Sequence, residues 1–466
     1  MSSSSAEAGG TRGSGSAAIY IFGALGGLNW GYDTGVISAA IIYLNQDFNL
    51  SPFITGWVVS ALIVGAIIGA AVGGRLNDAI GRWKVLMITA IIFTIGPFGL
   101  AFAPNVEVIL ASRFVLGLSA GLAAVTLPVY LSEIAPTRIR GAVTAFYALA
   151  IVTGQFIGFV VGAIFAQAEA WRWMLGLAVV PSILFLIGLF FIWETPRWLV
   201  QQHREEEAWD VLRYDRSEED AREELDEIKE MDRIEQEEGV SGLREFLAPW
   251  VRPILIVGIG VAILQQIMGI NTIIYYTPTT LTKVGFGDQG AIVANISIGV
   301  LNVIAVLLAI RYADRLGRRP LLLIGAIGTT LALGVLAITS LTTSEPTGIG
   351  PVGIITLICL GTYIFFFQGS WGSITWVLLG EIFPLGIRAT AMGVATVALW
   401  SANFVVALTF PPMLAALGVG GLFSIYAFIC LGAFFFVWFL VPETKGRSLE
   451  KIETDLREAH GTRQSA

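Results

Sequence analysis

The sequence predicts an all-α integral membrane protein: twelve transmembrane helices in two parallel six-helix halves, with a helical cytoplasmic loop between them. Three observations lead there. Of 466 residues, 55% are hydrophobic and 14% charged, against about 45–50% apolar and about 25% charged in soluble domains. The apolar residues gather into twelve stretches, each near the ~20 residues that cross a bilayer. Three charged motifs then occur twice, in the same order, half a chain apart. Disorder and collagen are excluded by the apolar content and by glycines without a three-residue period. The only two cysteines, Cys359 and Cys430, sit in apolar runs, so no disulfide is expected.

In chain order the spans are read at 17–43, 54–74, 84–104, 108–131, 142–166, 173–193, 252–281, 289–310, 320–341, 352–381, 389–415 and 419–441. Residues 1–16, rich in Ser and Gly and without the basic start of a signal peptide, read as a disordered cytoplasmic tail. The halves are then 17–196 and 251–442, the linker 197–250 and the second tail 443–466. With both termini inside, 25 of the 28 Lys and Arg residues are cytoplasmic; Arg172 and Lys283 lie outside and Arg113 within a span. That asymmetry sets the orientation, because basic loops stay on the cytoplasmic side. The net charge of −7 comes from the linker, where Arg204 to Glu245 holds 18 acids and 7 bases, or −11, leaving +4 elsewhere. Within it Leu225, Ile228, Met231 and Ile234 recur every third residue behind a capping Ser217. Short helices are expected, docked on the inner ends of the bundle or, as the alternative, fraying in a solvated linker.

The repeat begins with Gly74-Arg75-Leu76-Asn77-Asp78-Ala79-Ile80-Gly81-Arg82, echoed by Arg311-Tyr312-Ala313-Asp314-Arg315-Leu316-Gly317-Arg318-Arg319. Glu133-Ile134-Ala135-Pro136 with Ile139-Arg140 returns as Glu381-Ile382-Phe383-Pro384 with Ile387-Arg388, and Glu194-Thr195 as Glu443-Thr444. A duplicated six-span half is the usual build of an alternating-access transporter, with substrate held at the midplane between halves. Further runs are Gly31-Tyr32-Asp33-Thr34, Trp193-Glu194-Thr195-Pro196-Arg197, Gln265-Gln266 with Gly269-Ile270-Asn271 and Tyr275-Tyr276, and Pro442-Glu443-Thr444-Lys445-Gly446. Over essentially its whole length the chain resembles the sugar porters of the major facilitator superfamily, among them bacterial xylose/proton symporters, plant hexose/proton symporters and mammalian glucose facilitators.

Asp33 and Arg113 are the charges that lie well inside spans. A charge at mid-membrane costs at least about 2.5–3.5 kcal/mol, so such residues face a cavity, pair, or serve transport. Pairing alone could fix spans 1 and 4. The resemblance implies more: an aspartate at the place of Asp33 carries the coupled proton beside an arginine at the place of Arg113. Burial favours a neutral carboxyl and a guanidinium a charged one, so changing exposure can switch proton affinity. Neither histidine, His203 or His460, lies in a span. The charges at the inner span ends, Asp78, Arg82, Glu133, Arg140, Glu194, Asp314, Arg318, Glu381, Arg388 and Glu443, are explained in part by topology. In similar transporters they form the inter-helix ion pairs of a cytoplasmic gate.

Amides interrupt span 7 at Gln265, Gln266 and Asn271. An amide both donates and accepts, which suits vicinal hydroxyls, although helix-to-helix bonding would also satisfy it. The resemblance carries substrate contact onto these three, onto Gln155, Tyr275 and Asn302, and onto Trp376 and Trp400. Three departures put the identity of the sugar in doubt: Ala148 stands where a sugar-binding Gln is common in the family, Leu399 where the xylose-type symporter has another Gln, and Ser373 follows Gly372 where Pro is usual. The expected function is proton-coupled import of a monosaccharide or related polyol at the plasma membrane. The alternatives are proton-independent facilitation and a transporter-like sugar sensor. Neither enzymatic chemistry nor a cofactor, a metal or a nucleic-acid partner is expected; sugar, proton and lipid are, with the monomer as working unit.

Overall fold

The computed structural model describes residues 12–136, 139–214, 216–238, 251–343, 350–383 and 387–445. Spans 1 to 5 are α1 (Arg12–Phe48), α2 (Pro52–Ile80), α3 (Arg82–Ala101), α4 (Val106–Ile134) and α5 (Arg140–Ala166). Helix α1 starts inside the stretch expected to be a tail; residues 1–11 lie outside the described residues. Span 6 is broken into α6 (Trp171–Gly176) and α7 (Val179–Leu189). The linker forms α8 (Pro196–Gln201), α9 (Glu205–Leu212) and α10 (Glu218–Glu238). Span 7 is α11 (Arg252–Ile267) and α12 (Ile270–Lys283), separated at Gly269, whose φ is 97°. Then come α13 (Asp288–Leu316) and α14 (Arg318–Thr342). Span 10 is α15 (Pro351–Phe367), a π-helical turn at Gln368–Gly372, and α16 (Ser373–Ile382). Spans 11 and 12 run on as α17 (Arg388–Leu440), interrupted at Gly418. These make twelve crossings, and no strand occurs among the described residues.

The chain forms two compact units: Met1–Asp33, Val64–Gly154 and Leu175–Gly239 in the first, and Thr34–Ile63, Gln155–Met174 and Val240–Ala466 in the second. In the first, α2 and α4 meet main chain to main chain. A Cβ on Gly65 would land on the Phe114 carbonyl, one on Gly69 on that of Leu118, and one on Gly121 on that of Ala66. Small residues four apart allow this close approach, which replaces the hydrophobic drive that lipid does not supply.

The linker helices share a core of their own, built from Trp198, Leu199, Val200, Ala208, Leu212, Ala221, Leu225 and Ile228. The Ser217 hydroxyl accepts from Asp220 N–H at 3.1 Å and starts α10. The Trp198 indole donates to the Asp78 carbonyl at 3.0 Å and Arg216 to that of Ile134 at 3.3 Å, docking the linker on the ends of α2 and α4. Met231, expected to dock as well, is 47% exposed. A three-residue step falls about 60° short of a helical turn, so two steps beyond Leu225 the repeat has rotated away from the core. The side chain of Ile234 lies outside the described residues.

The second unit packs the ends of α1, α2 and α5 against the later helices. Gln46 donates to Asp288 at 2.8 Å, Trp57 stands edge-on to Phe404 at 5.7 Å, and Gly56 sits against the Leu408 carbonyl.

Gly121→Leu should destabilise the first unit by about 3 kcal/mol or more, the top of the range for overpacking, because the obstacle is a carbonyl rather than a movable side chain. A lower melting temperature or loss of monodisperse protein reads this out. Gly74→Ala is the control. A Cβ there meets nothing within 4 Å, and alanine is favoured over glycine in a helix by about 0.5–1 kcal/mol.

Candidate transport site

In the first unit, Arg113 on α4 reaches Asp33 on α1: Nη1 lies 2.9 Å from both carboxylate oxygens. Arg113 is 1% exposed and Asp33 8%. Two charges withdrawn from water are tolerable only with such geometry, and removing either would strand the other at a cost of about 3–5 kcal/mol. One turn before Asp33, Asn29 ties α1 to α7, donating to the Pro181 carbonyl at 3.3 Å and accepting from the Ser182 hydroxyl at 2.7 Å. A Cβ on Gly154 would strike the Leu28 carbonyl, so α5 also abuts α1 here.

The amides form two groups in the second unit. Gln266 donates to Gln265 at 2.6 Å, and Asn271 to Gln266 at 2.7 Å, across the Gly269 break. The break exposes the Met268 carbonyl, which accepts from the Tyr363 hydroxyl at 2.9 Å. In the other group Gln368 donates to Asn302 (2.8 Å), Asn302 to Gln155 (2.7 Å) and Gln155 to the Thr34 hydroxyl (3.1 Å). The chain joins span 10, α13, α5 and α1, with every donor pointing the same way. Gln368 is presented by the π-helical turn, and its Oε1 occupies the space that a Cβ on Gly372 would need. Ser373, the expected departure in span 10, donates its hydroxyl to the Gln368 carbonyl at 3.0 Å and so braces that turn.

Of the remaining expected contacts, Tyr275 is buried, Trp400 half-buried and Trp376 42% exposed. Leu399 is buried and Ala148 exposed. The expected list did not include Thr34, Gln368 or Asn403. Asn403 is 1% exposed, and among the described residues neither of its amide atoms has a partner. Its signal is an amide one helical turn beyond Leu399.

The charged span ends assemble twice. In the first unit Arg82 Nε lies 3.2 Å from Glu133, which also accepts from Thr195 at 2.7 Å. Glu194 accepts from Trp83 N–H at 3.1 Å, capping α3. In the second, Arg318 meets Glu381 at 2.7 Å, Thr444 donates to Glu381 at 2.6 Å, and Glu443 accepts from Arg318 N–H at 3.0 Å, capping α14. Before each capped helix stands a glycine at positive φ, Gly81 at 96° and Gly317 at 91°, and a Cβ on either would meet the capping carboxylate. Asp78 reaches Arg82 only at 3.5 Å, with its side chain 73% exposed. Arg388 was expected to pair with a carboxylate and instead donates to the Phe383 carbonyl at 3.2 Å. The oxygens of Glu381 are already engaged by Arg318 and Thr444. The side chains of Arg140 and Asp314 lie outside the described residues.

Burial pushes the Glu194 carboxyl above its usual 4.5, with the Thr195 and Trp83 N–H groups and the Arg82 charge opposing it. A carboxyl raised in the folded state contributes stability that is whole below the unfolded value and is lost as pH rises through the folded one. The melting temperature of the unmodified chain, relative to Glu194→Gln, should therefore fall as pH climbs from 4.5. Melting curves of both proteins in one detergent across that range check the sign.

A family model described as "Sugar (and other) transporter" matches residues 19–456. The chain is similar to a D-xylose transporter of Levilactobacillus brevis, 42% identical over 449 residues and covering 95% of this chain and 96% of that one. It is also 42% identical over 447 residues to the glucose transporter GlcP of Staphylococcus epidermidis, covering 96% and 98%. Among solved structures, the inward open conformation of the xylose transporter XylE from E. coli superposes with a TM-score of 0.81 at 33% identity, covering 94% and 98%. The proton:xylose symporter XylE bound to 6-bromo-6-deoxy-D-glucose superposes with 0.77 at 32%, covering 95% and 99%. With twelve crossings, a buried ion pair and amides clustered at a broken helix, the chain belongs to the sugar porter family of the major facilitator superfamily and is a sugar transporter, not an enzyme.

Proposed function

We propose that this protein imports a monosaccharide or closely related polyol together with protons, by alternating access, as a monomer in the plasma membrane. The observation that carries the coupling is the buried Asp33–Arg113 pair. Arg113 keeps its charge throughout, so the pair changes charge only by Asp33 taking up or releasing a proton. The xylose and glucose transport named for relatives, and the proton symport named for the XylE structure, support the same reading. The amides of span 7 and the group around Asn302 supply paired donors and acceptors for sugar hydroxyls, and Tyr275, Trp376 and Trp400 are assigned the aromatic contacts that the family resemblance implies. The linker face is assigned to the cytoplasm on the 25 of 28 basic residues counted there. The two charge clusters act as its gate by fixing the inner ends of three helices in each unit, so that each set moves as a block.

Asp33→Asn keeps the size and most of the hydrogen bonding while removing the titrating proton. Sugar binding and counterflow should survive in proteoliposomes, while uptake driven by a pH gradient and sugar-induced alkalinisation should be lost. Accumulation driven by protons in the folded variant would overturn the coupling role. If the unmodified chain moves sugar without moving protons, facilitation replaces symport.

Gln266→Ala leaves partners of a buried amide unsatisfied, at a cost of about 1–3 kcal/mol, or roughly five- to hundredfold in affinity. Binding of labelled xylose and glucose measures it. Unchanged affinity for both would remove Gln266 from the site.

A further inference from the structure

Helices α1 and α13 are joined in the second unit by two buried polar rungs. One is the Thr34–Gln155–Asn302 chain. The other stands four residues further along α1 and seven residues back along α13, where Asn295 Nδ2 donates to Ser38 Oγ at 3.3 Å. Ser38 is 0% exposed and Asn295 1%. The Ser38 hydroxyl proton is committed to the Gly35 carbonyl at 2.7 Å. With the Ser38 hydroxyl donating to the Gly35 carbonyl, Asn295 meets Ser38 as the donor. Oδ1 of Asn295 is left without a hydrogen-bond partner among the described residues.

An orphaned buried acceptor is costly, and the bilayer interior offers no water to relieve it. Seven residues are close to two helical turns, so Asn295 shares a face of α13 with Asn302. The orphan carbonyl thus stands in line with an amide assigned to the sugar site, displaced toward the end of α13 that Asp288 begins.

We propose that Asn295 forms a second subsite for a polyol hydroxyl, on the permeation path between the Asp288 end of the helix and the Asn302 amide. When α1 and α13 part, a substrate hydroxyl donates to Asn295 Oδ1, and the Ser38 oxygen, released from Asn295, accepts from a neighbouring hydroxyl. Closing the rung strips the carbonyl of its donor, so the closed rung carries the cost of an orphaned acceptor and a substrate hydroxyl favours the open one. This rests on the sugar transport proposed above.

The test compares Asn295→Val with Asn295→Thr, which keeps an acceptor, in oriented proteoliposomes with labelled D-xylose, D-glucose and myo-inositol. For transport starting at the Asp288 side, valine should raise the half-saturation concentration roughly five- to hundredfold and threonine should recover most of it. From the linker side both should stay within about threefold of the unmodified chain, being less than 1 kcal/mol. No shift with valine, an equal shift from both sides, or a threonine variant as impaired as valine would overturn the subsite. Should valine prevent folding, Ser38→Cys decides. Protection from a membrane-impermeant thiol reagent by any of the three polyols supports the subsite, and labelling unaffected by all three overturns it. If the unmodified chain moves none of them, the transport reading falls and the subsite with it; if it moves them while the variants behave alike, only the subsite falls.

Discussion

Water is scarce along a helix that crosses a bilayer, so a polar side chain there must find its partner within the protein. Most do so locally: Thr89 donates to Val85 and Thr277 to Ile273 within their own helices. Others tie one helix to another, as the Trp371 indole does with the Leu322 carbonyl at 2.9 Å. The same demand makes the break at Gly269 possible, because Tyr363 caps the carbonyl it frees. Asp33 and Arg113 meet the demand with charge, and the four-residue chain from Gln368 to Thr34 meets it with amides. Among the described residues the amide oxygen of Asn295, both amide atoms of Asn403 and the hydroxyls of Thr279, Ser340 and Thr375 are buried without a partner.

The three sequence echoes turn out to describe a single arrangement, built twice. The arginine after Gly81 or Gly317 pairs with the glutamate that ends the fourth or tenth span, and the Glu-Thr dipeptide closes the set. Its glutamate caps the helix that the glycine begins, and its threonine binds the paired glutamate. Each element explains another: the positive φ turns the chain toward the cap, and the missing Cβ leaves room for the capping carboxylate. Charge in these loops therefore has work beyond fixing topology.

The twelve spans were legible because a bilayer imposes length and apolarity on each segment separately. Asp33 and Arg113 were legible for the converse reason, since a charge stands out in an apolar run. Breaks inside spans were not, because Gly418 and the residues between Gly176 and Val179 sit in runs whose hydropathy is continuous. Partners of uncharged polar residues were hidden as well. Ser38 and Asn295 are 257 residues apart, and serine or asparagine alone in a span carries no sign of what it will face. Glu194 was marked by its repeat, yet its work as a cap depends on a helix start 111 residues earlier. Arg388 was expected to pair with a carboxylate, and counting charges does not show that the oxygens of Glu381 are taken by Arg318 and Thr444.

The meeting of α2 and α4 through glycines has a mechanical consequence. Side chains that interdigitate can change rotamer and let two helices slide, whereas a carbonyl seated against a bare Cα has no such freedom. The pair is a stiff beam with almost no compliance across its joint. Elsewhere the helices are interrupted instead, at the Gly269 break, the π-helical turn of span 10 and the Gly418 corner, where no glycine is seated against a neighbouring helix's carbonyl. Glycine thus serves two opposite ends along one chain, joining helices where it meets a neighbour's main chain and interrupting them where it breaks its own.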